Sequence, residues 1–306
     1  MLVLSANMEE QQYLNILKKL LENGDERQTR NSVTKTLFSN DVSFDLKKGF
    51  PLLTTKKMFL RGIFEELMFF IRGETNTKIL EDKNINIWKG NTSREFLDNV
   101  GLYDYKEGDM GPMYGYIFRH HSKPYNGYEN NSTEGDQGID QLKYVIDTLI
   151  KDPYSRRIIM TSFNPSQVNQ GCLYPCHSIV VQFFVKKHED KYYVSQKMYQ
   201  RSVDAVCGFP FNIASSALFS HIICSTLNSI TKTEQYIPDM LHITLGDYHI
   251  YKDHYDIANE QIKRKPFPFP TLKIKTQYDD IEKYSFDDIE LLDYQCHSQL
   301  KALMVS

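Results

Sequence analysis

The stretch Phe59–Ile71 carries Phe59, Leu60, Ile63, Phe64, Leu67, Met68, Phe69, Phe70 and Ile71. Apolar side chains at that density leave almost no helix face for water. The segment therefore predicts a helix enclosed by the rest of the chain and stopped at Gly73. Glu65 and Glu66 interrupt the run, so at least one carboxylate enters an apolar region. Glu66 neighbours Ile63, Phe69 and Phe70 on a helix, where desolvation raises a carboxyl's pKa. The bland alternatives are a surface glutamate or a partner for Arg61.

Further helices are predicted from Tyr13, Ile16, Leu17, Leu20 and Leu21 up to Gly24, and from Ile139, Leu142, Ile146 and Leu149 up to Asp152-Pro153. Ile213–Leu227 is a third, with small residues Ala214, Ser215, Ala217 and Ser220 along one face. Asn212 falls near its start, where capping is the ordinary role. Strands are expected at Thr36–Leu46, Ile158–Phe163 and Leu241–Tyr251. Ser178–Val185 and Tyr192–Tyr199 form a hairpin across the polar turn Lys187–Asp190. Asp25–Lys35 is polar, carries Arg27 and Arg30, lacks apolar periodicity and reads as a mobile loop. Lys123–Gln137 reads as a surface insertion. Strands gather in the second half without repeated strand–helix alternation, glycine-rich dinucleotide fingerprint or phosphate loop. The expected class is α+β, as one domain over residues 1–306.

Apolar residues make up 41% of 306, enough for a substantial core, and the net charge of −3 provides no global field for DNA or RNA. The cysteines at 172, 176, 207, 224 and 296 are odd in number and show no Cys-x-x-Cys spacing, so neither a disulfide framework nor a zinc knuckle is indicated. No 18-residue apolar run argues for a membrane span, and the first eight residues do not resemble a signal peptide. A soluble chain in a reducing, cytoplasmic compartment (or the nucleus, or a host cytosol) is expected.

Cys176 lies between Pro175 and His177 at the mouth of the strand-like Ser178–Val185. A thiolate is the reactive form of cysteine, and a neighbouring cation or hydrogen-bond donor favours it. Most free cysteines are simply small core residues. What raises Cys176 above that reading is its company. Arg156, Arg157 and Arg201 stand next to strands, where paired guanidinium forks suit a phosphate, although solvated or ion-paired arginines are commoner. With a buried Glu66 and the amide of Asn212, they suit covalent catalysis on a small phosphorylated substrate. A cysteine protease would need an oxyanion hole and a distant histidine that nothing here specifies.

The blocks Gly49-Phe50-Pro51-Leu52 with Thr54-Thr55-Lys56, Gly111-Pro112-x-Tyr114-Gly115, Ser155-Arg156-Arg157-Ile158-Ile159, Pro175-Cys176-His177, Gln200-Arg201-Ser202-x-Asp204, Gly208-x-Pro210-Phe211-Asn212 and Gly246-Asp247-x-His249-Ile250-Tyr251 occur in the order seen in thymidylate synthases. The resemblance runs from about Tyr13 to Val305. Ser93–Asp98 looks like the insertion of eukaryotic and some viral members. The resemblance implies a large mixed β-sheet packed by helices, with the sheets of two subunits stacking in a homodimer. It implies reductive methylation of dUMP to dTMP with 5,10-methylenetetrahydrofolate as co-substrate, and no metal. Cys176 would attack uracil C6, activated chiefly by arginine charge, while His177 joins a supporting network. Arg30, Arg201, Ser202 and Gln200 would serve the nucleotide, joined by Arg156 and Arg157 of the neighbouring subunit. Asn212 would read the pyrimidine, and an aspartate there marks dCMP hydroxymethylases. His249 and Tyr251 would hold the ribose. Glu66 and Tyr114 would move protons. Asp204 would bind the pterin, Ile87, Trp88, Gly208, Phe211 and Val305 would surround the folate, and Lys56 would lie towards its glutamate tail.

Departures from the family pattern are also visible. The Arg27–Val33 stretch lacks the usual glycines, Lys89 replaces an aspartate, Asp253 an asparagine and Lys197 a glutamine, while Cys296 and Ser298 stand where prolines are usual. A looser tail and weaker folate binding are expected from the last pair. A deoxyuridylate hydroxymethylase and a catalytically quiet RNA-binding relative are the rival readings. With no reductase-like extension, a single-function chain is expected.

Overall fold

The computed structural model describes residues 7–29, 32–130 and 138–302. In chain order the elements are α1 (Met8–Asn23), β1 (Asp25–Gln28), β2 (Val33–Asp45), α2 (Leu60–Ile71), α3 (Lys78–Glu81), α4 (Arg94–Asn99), α5 (Gly115–His120) and α6 (Gln141–Lys151). There follow β3 (Ile159–Met160), β4 (Val180–His188), β5 (Lys191–Asp204), α7 (Gly208–Thr231), β6 (Tyr236–Tyr251), α8 (Tyr255–Gln261), β7 (Thr271–Ile274) and β8 (Ile289–Leu292). Among the described residues, six strands make one mixed sheet in the order β1-β2-β6-β5-β4-β3, and β7 and β8 make a separate ribbon. The α+β expectation holds.

One pairing in that sheet organises the molecule. β5 and β6 run parallel, whereas the other neighbours are antiparallel. Parallel strands require a crossover, here supplied by α7. The start of α7 and the C-terminal ends of the central strands β5 and β6 therefore meet at one end of the sheet, with Asp204 opposite His249 and Ser202 opposite Asp247. The small-residue face of α7 lets it lie close to the sheet, where Ser220 Oγ donates to Gln196 Oε1 at 2.6 Å. Among the described residues α7 is long and apolar enough to span a membrane, with a window of mean hydropathy 1.3, contrary to the expectation that no such stretch exists. In that window 78% of the residues are buried inside this protein, which accounts for the composition without a bilayer.

α2 is enclosed as expected, with Ile63, Phe64, Met68, Phe69 and Phe70 each at most 2% exposed. Each such side chain stabilises the fold by about 1.5–3 kcal/mol. Gly73, at φ +71°, turns the chain out of the helix, and the Glu74 N–H closes on the Phe69 carbonyl. Glu65 is neutralised by Lys83 Nζ at 2.6 Å.

Two segments differ from the sequence reading. Asp25–Lys35 contains a hairpin rather than a loop, pairing Asp25–Gln28 with Val33–Thr36. All four β1 residues are exposed, so no apolar alternation could announce the strand, and backbone pairing alone defines it. The strand expected over Ile158–Phe163 shrinks to Ile159–Met160, because β4 starts only at Val180. Ser178 adopts φ +53° and interrupts the regular ladder, so the Thr161 side chain bonds the Ile179 carbonyl at 2.5 Å while the Ser162 N–H reaches the Ser178 carbonyl at 3.1 Å. The β4–β5 ladder extends to His188 opposite Lys191, so the hairpin turn is tighter than Lys187–Asp190. Of the expected surface insertion, residues 131–137 lie outside the described residues.

Candidate active site

The C-terminal ends of β5 and β6, with the start of α7, open into a cleft of about 630 Å3. Its walls come from α2 (Glu66), the segment before α5 (Tyr114), the segment before β4 (Cys176, His177) and the C-terminal stretch Gln299–Ala302.

Cys176 is held at both backbone ends. Its N–H donates to Tyr114 Oη at 3.0 Å, and its carbonyl accepts from the Arg201 N–H at 2.8 Å. The same Tyr114 hydroxyl lies 3.4 Å from Sγ. Tyr114 reaches this position at a cost, since its φ of +35° lies in the left-handed region, worth about 1–3 kcal/mol of strain in a non-glycine residue. Packing enforces that geometry. The ring lies 4.8 Å from that of Phe70 and stacks on His177 at 4.3 Å and 15°. The following Gly115 abuts the Phe70 carbonyl, where a Cβ would come within 2.5 Å.

Burial pushes the Cys176 thiol above its ordinary range, a rise that the Tyr114 hydrogen bond and then the Arg201 charge only partly offset. Of the groups that favour the thiolate, the Tyr114 hydrogen bond therefore ranks ahead of the Arg201 charge on which the sequence reading relied. The reason is geometric, because Arg201 gives Nε to the Pro175 carbonyl at 3.0 Å and Nη2 to the Tyr174 carbonyl at 3.5 Å. It braces the loop that presents the thiol and is exposed rather than lining the cleft. His177 is pushed down to about 4 by burial and is neutral, with Nδ1 3.0 Å from Ser178 Oγ.

Burial raises the Glu66 carboxyl to about 7, although Trp88 Nε1 donates to it at 2.8 Å. The residue retains some exposed surface because it faces the cleft, while its flanks are protein. Arg61, its alternative partner, is exposed.

Across the cleft, Asn212 lies inside α7, which begins at Gly208, so it is not a cap. Its Nδ2 donates to Gln200 Oε1 at 3.2 Å, and Gln200 Nε2 in turn donates to the Ser202 carbonyl at 2.9 Å. That chain fixes the amide's orientation. Ser202, Asp204, His249, Tyr251, Gly208, Phe211, Ile87 and Trp88 also line the cleft. Asp204 Oδ1 accepts from the Val206 N–H at 2.8 Å.

Other expected site residues are placed differently. Lys56 lines the cleft but turns inward, its buried Nζ donating to the Val206 carbonyl at 2.6 Å, and burial lowers its pKa. Lys57 and Lys301 are the exposed cations at the rim. Arg156 and Arg157 are exposed ahead of β3 and do not line the cleft of this chain. Arg30 and Val305 lie outside the described residues. The tail up to Ala302 is tied down by the His297 N–H to the Thr54 carbonyl (2.8 Å) and by Arg264 Nη1 to the Ser298 carbonyl (2.7 Å).

Sequence reasoning missed several partners. Asp247 accepts from Ser202 Oγ at 3.5 Å and meets His249 Nδ1 at 2.7 Å; its spacing of two from His249 on a strand was the available signal. Cys207, whose thiol burial and Asp204 push up to about 12, lines the cleft beside Asp204 and close to His254. No periodicity marks either residue. Among the departures, Lys89 lies 3.6 Å from Glu81, and Lys197 lies 4.0 Å from Asp41 on an exposed sheet surface.

Comparison with known proteins identifies a family. The profile of the family described as thymidylate synthase matches residues 11–306. A thymidylate synthase of Saccharomyces cerevisiae is 42% identical over 306 residues, covering 97% of each chain. A bifunctional dihydrofolate reductase-thymidylate synthase of Paramecium tetraurelia is 41% identical over 297 residues, and one of Zea mays is also 41% identical over 297. In both pairs 97% of this chain is covered, but it spans only 61% and 54% of those longer relatives. With its length matched almost throughout, the chain belongs to the thymidylate synthase family.

Proposed function

We propose that this chain is a methyltransferase that converts dUMP to dTMP by reductive methylation, with 5,10-methylenetetrahydrofolate supplying both the carbon and the hydride. The observation that carries the proposal is a thiol held by Tyr114 and the Arg201 backbone in a cleft that also contains an enclosed Glu66 and an oriented Asn212. Uracil C5 is a poor nucleophile. Cys176 loses its proton and forms a bond to C6, and the C5–C6 electron pair moves to give an enolate at C4–C5 that can take the methylene carbon. Tyr114 supports the thiolate by hydrogen bonding. Glu66, titrating near neutrality, shuttles protons at O4, N10 and C5 with Tyr114.

Asn212, locked by Gln200, reads O4 and N3, and His249, oriented by Asp247, holds the ribose hydroxyl with Tyr251. Arg201, Ser202 and Arg30 serve the phosphate. Arg201 must first release the Pro175 or Tyr174 carbonyl or share its donors, and a guanidinium has enough N–H groups to share. Asp204 binds the pterin, and Ile87, Trp88, Gly208, Phe211 and Val305 surround the folate. Lys57 and Lys301 suit its glutamate carboxylates better than the inward-facing Lys56.

The chain acts as one catalytic domain and as a homodimer whose sheets stack. Exposed Val180, Phe184 and Ile159 on the open sheet support that packing, and the exposure of Arg156 and Arg157 leaves them available to a neighbouring cleft. All five cysteines are free, which supports a reducing, cytoplasmic setting.

The test is incubation with dUMP and methylenetetrahydrofolate, following dihydrofolate optically and the nucleotide by mass. Dihydrofolate with dTMP is expected. Hydroxymethyl-dUMP with tetrahydrofolate would make the protein a hydroxymethylase, and inactivity equal to that of Cys176→Ala would overturn catalysis altogether.

A further inference from the structure

Asp204, Cys207 and His254 bring a carboxylate oxygen, a sulfur and an imidazole nitrogen within 4.8 Å of one another. Three places in the fold converge here. Asp204 ends β5, Cys207 precedes α7, and His254 follows β6. The parallel register, with Asp204 opposite His249, draws them together. Asp204 and Cys207 line the cleft, and His254 lies behind them, 2% exposed, with Nδ1 3.9 Å from Asp204 Oδ2. The Val206 N–H holds the other carboxylate oxygen, so the group is already oriented.

We propose that Asp204, Cys207 and His254 form a binding site for a divalent cation of the zinc class, with its remaining coordination position open to the cleft. The donor set argues for that class. One thiolate, one imidazole and one carboxylate match zinc or cobalt, whereas magnesium and calcium require shells of oxygen. Ligands about 2.0–2.3 Å from a tetrahedral ion stand roughly 3.3–3.7 Å apart, so the Asp204–His254 pair, at 3.9 Å, closes by roughly half an ångström. The widest separation within the group, at most 4.8 Å, closes by roughly 1 Å of side-chain rotation. On binding, the Cys207 S–H bond breaks, its proton leaves to solvent and the sulfur bonds the metal. Lys56 Nζ opposes the cation, because it already feels the charges of Cys207 and Asp204. Binding is therefore tighter at higher pH and in Lys56→Met. The cation also competes with folate, a consequence that rests on the placement of the pterin against Asp204 proposed above.

Cobalt is the probe. Chelator-stripped, reduced protein is titrated with Co2+, and thiolate ligation reads as a near-ultraviolet charge-transfer band accompanied by intense visible bands, which Zn2+ removes. We expect one cobalt per chain, loss of the band in Cys207→Ser, loss of the tetrahedral signature in His254→Gln, and retention of both in Cys176→Ser. No charge-transfer band in the unaltered protein would overturn the site without recourse to any variant, as would a band that survives in Cys207→Ser or disappears in Cys176→Ser. Circular dichroism of each variant separates ligand loss from misfolding. In a second arm, dUMP with a non-reactive folate analogue weakens the cobalt signal. A full signal that folate leaves untouched keeps the metal site and removes Asp204 from the pterin contact, so the two readings fail separately.

Discussion

Replacing Tyr114 with phenylalanine tests which group supports a thiolate at Cys176. The substitution keeps the ring that stacks on His177 and packs on Phe70, and removes only the oxygen. That oxygen takes the Cys176 N–H at 3.0 Å and stands 3.4 Å from Sγ. A hydrogen bond to a charged partner is worth about 1.5–3 kcal/mol, so the thiolate population near neutral pH falls about 10- to 150-fold. Leaving the Cys176 N–H unsatisfied costs about a further 1–3 kcal/mol of local stability, which adds to the loss through a less rigid loop. Arg201→Gln, by contrast, removes a charge that ranks behind Tyr114 in lowering the thiol and braces carbonyls instead. Its effect on the thiolate population is the smaller of the two, and its effect on dUMP affinity the larger. The assay is the pH dependence of alkylation of the Cys176 peptide by iodoacetamide, read by mass so that the other four cysteines do not interfere. An unchanged alkylation rate in Tyr114→Phe, or a greater loss in Arg201→Gln, would refute the argument that the phenol is the main support of the thiolate.

The remaining expectations concern acid–base chemistry, specificity and stability. Glu66 changes charge at about pH 7, with its protonated form below and its carboxylate above, so the pH–kcat profile should show a limb near neutrality that disappears in Glu66→Gln. Because burial favours the protonated carboxyl, that ionisation also works against the fold: between the unperturbed value of 4.5 and about 7 the native state keeps a proton that the unfolded chain has lost, so Glu66→Gln should remove a loss of stability that develops as pH rises through this window, measured by urea unfolding. Asn212→Asp replaces an amide whose orientation Gln200 fixes and should shift relative kcat/KM from dUMP towards dCMP by an order of magnitude or more; unchanged selectivity in competition assays would remove Asn212 from pyrimidine reading. Glu10, fully buried, accepts from the N–H and hydroxyl of both Thr54 and Thr55, so Glu10→Leu strands three donors, the Thr54 hydroxyl keeping the Phe267 carbonyl at 3.4 Å, and should cost about 3–5 kcal/mol, seen as a lower urea midpoint.

Local pattern alone determined a good deal of this protein. The apolar density of Phe59–Ile71 required an enclosed helix, the alternation around Lys187–Asp190 required a hairpin, and the ordered blocks around Cys176, Asn212 and His249 carried the family. Each of these signals is contained in a few consecutive residues, where burial and backbone period leave a direct trace. β1 left none, because its side chains are all exposed and its identity lies in hydrogen bonds to β2. The direction of a long side chain left none either. Arg201 turns to the Pro175 and Tyr174 carbonyls and Lys56 to that of Val206, since a buried or bracing cation takes whichever acceptor the fold puts within reach. Contacts between distant positions were likewise decided only by tertiary structure: Tyr114 meets Cys176 across 62 residues, and Cys207 meets His254 through the crossover that α7 makes between parallel strands. Sequence names the groups that can do the chemistry, but the register of β5 against β6 decides which of them touch, because that register is set by the summed packing of the whole sheet rather than by any residue in the site.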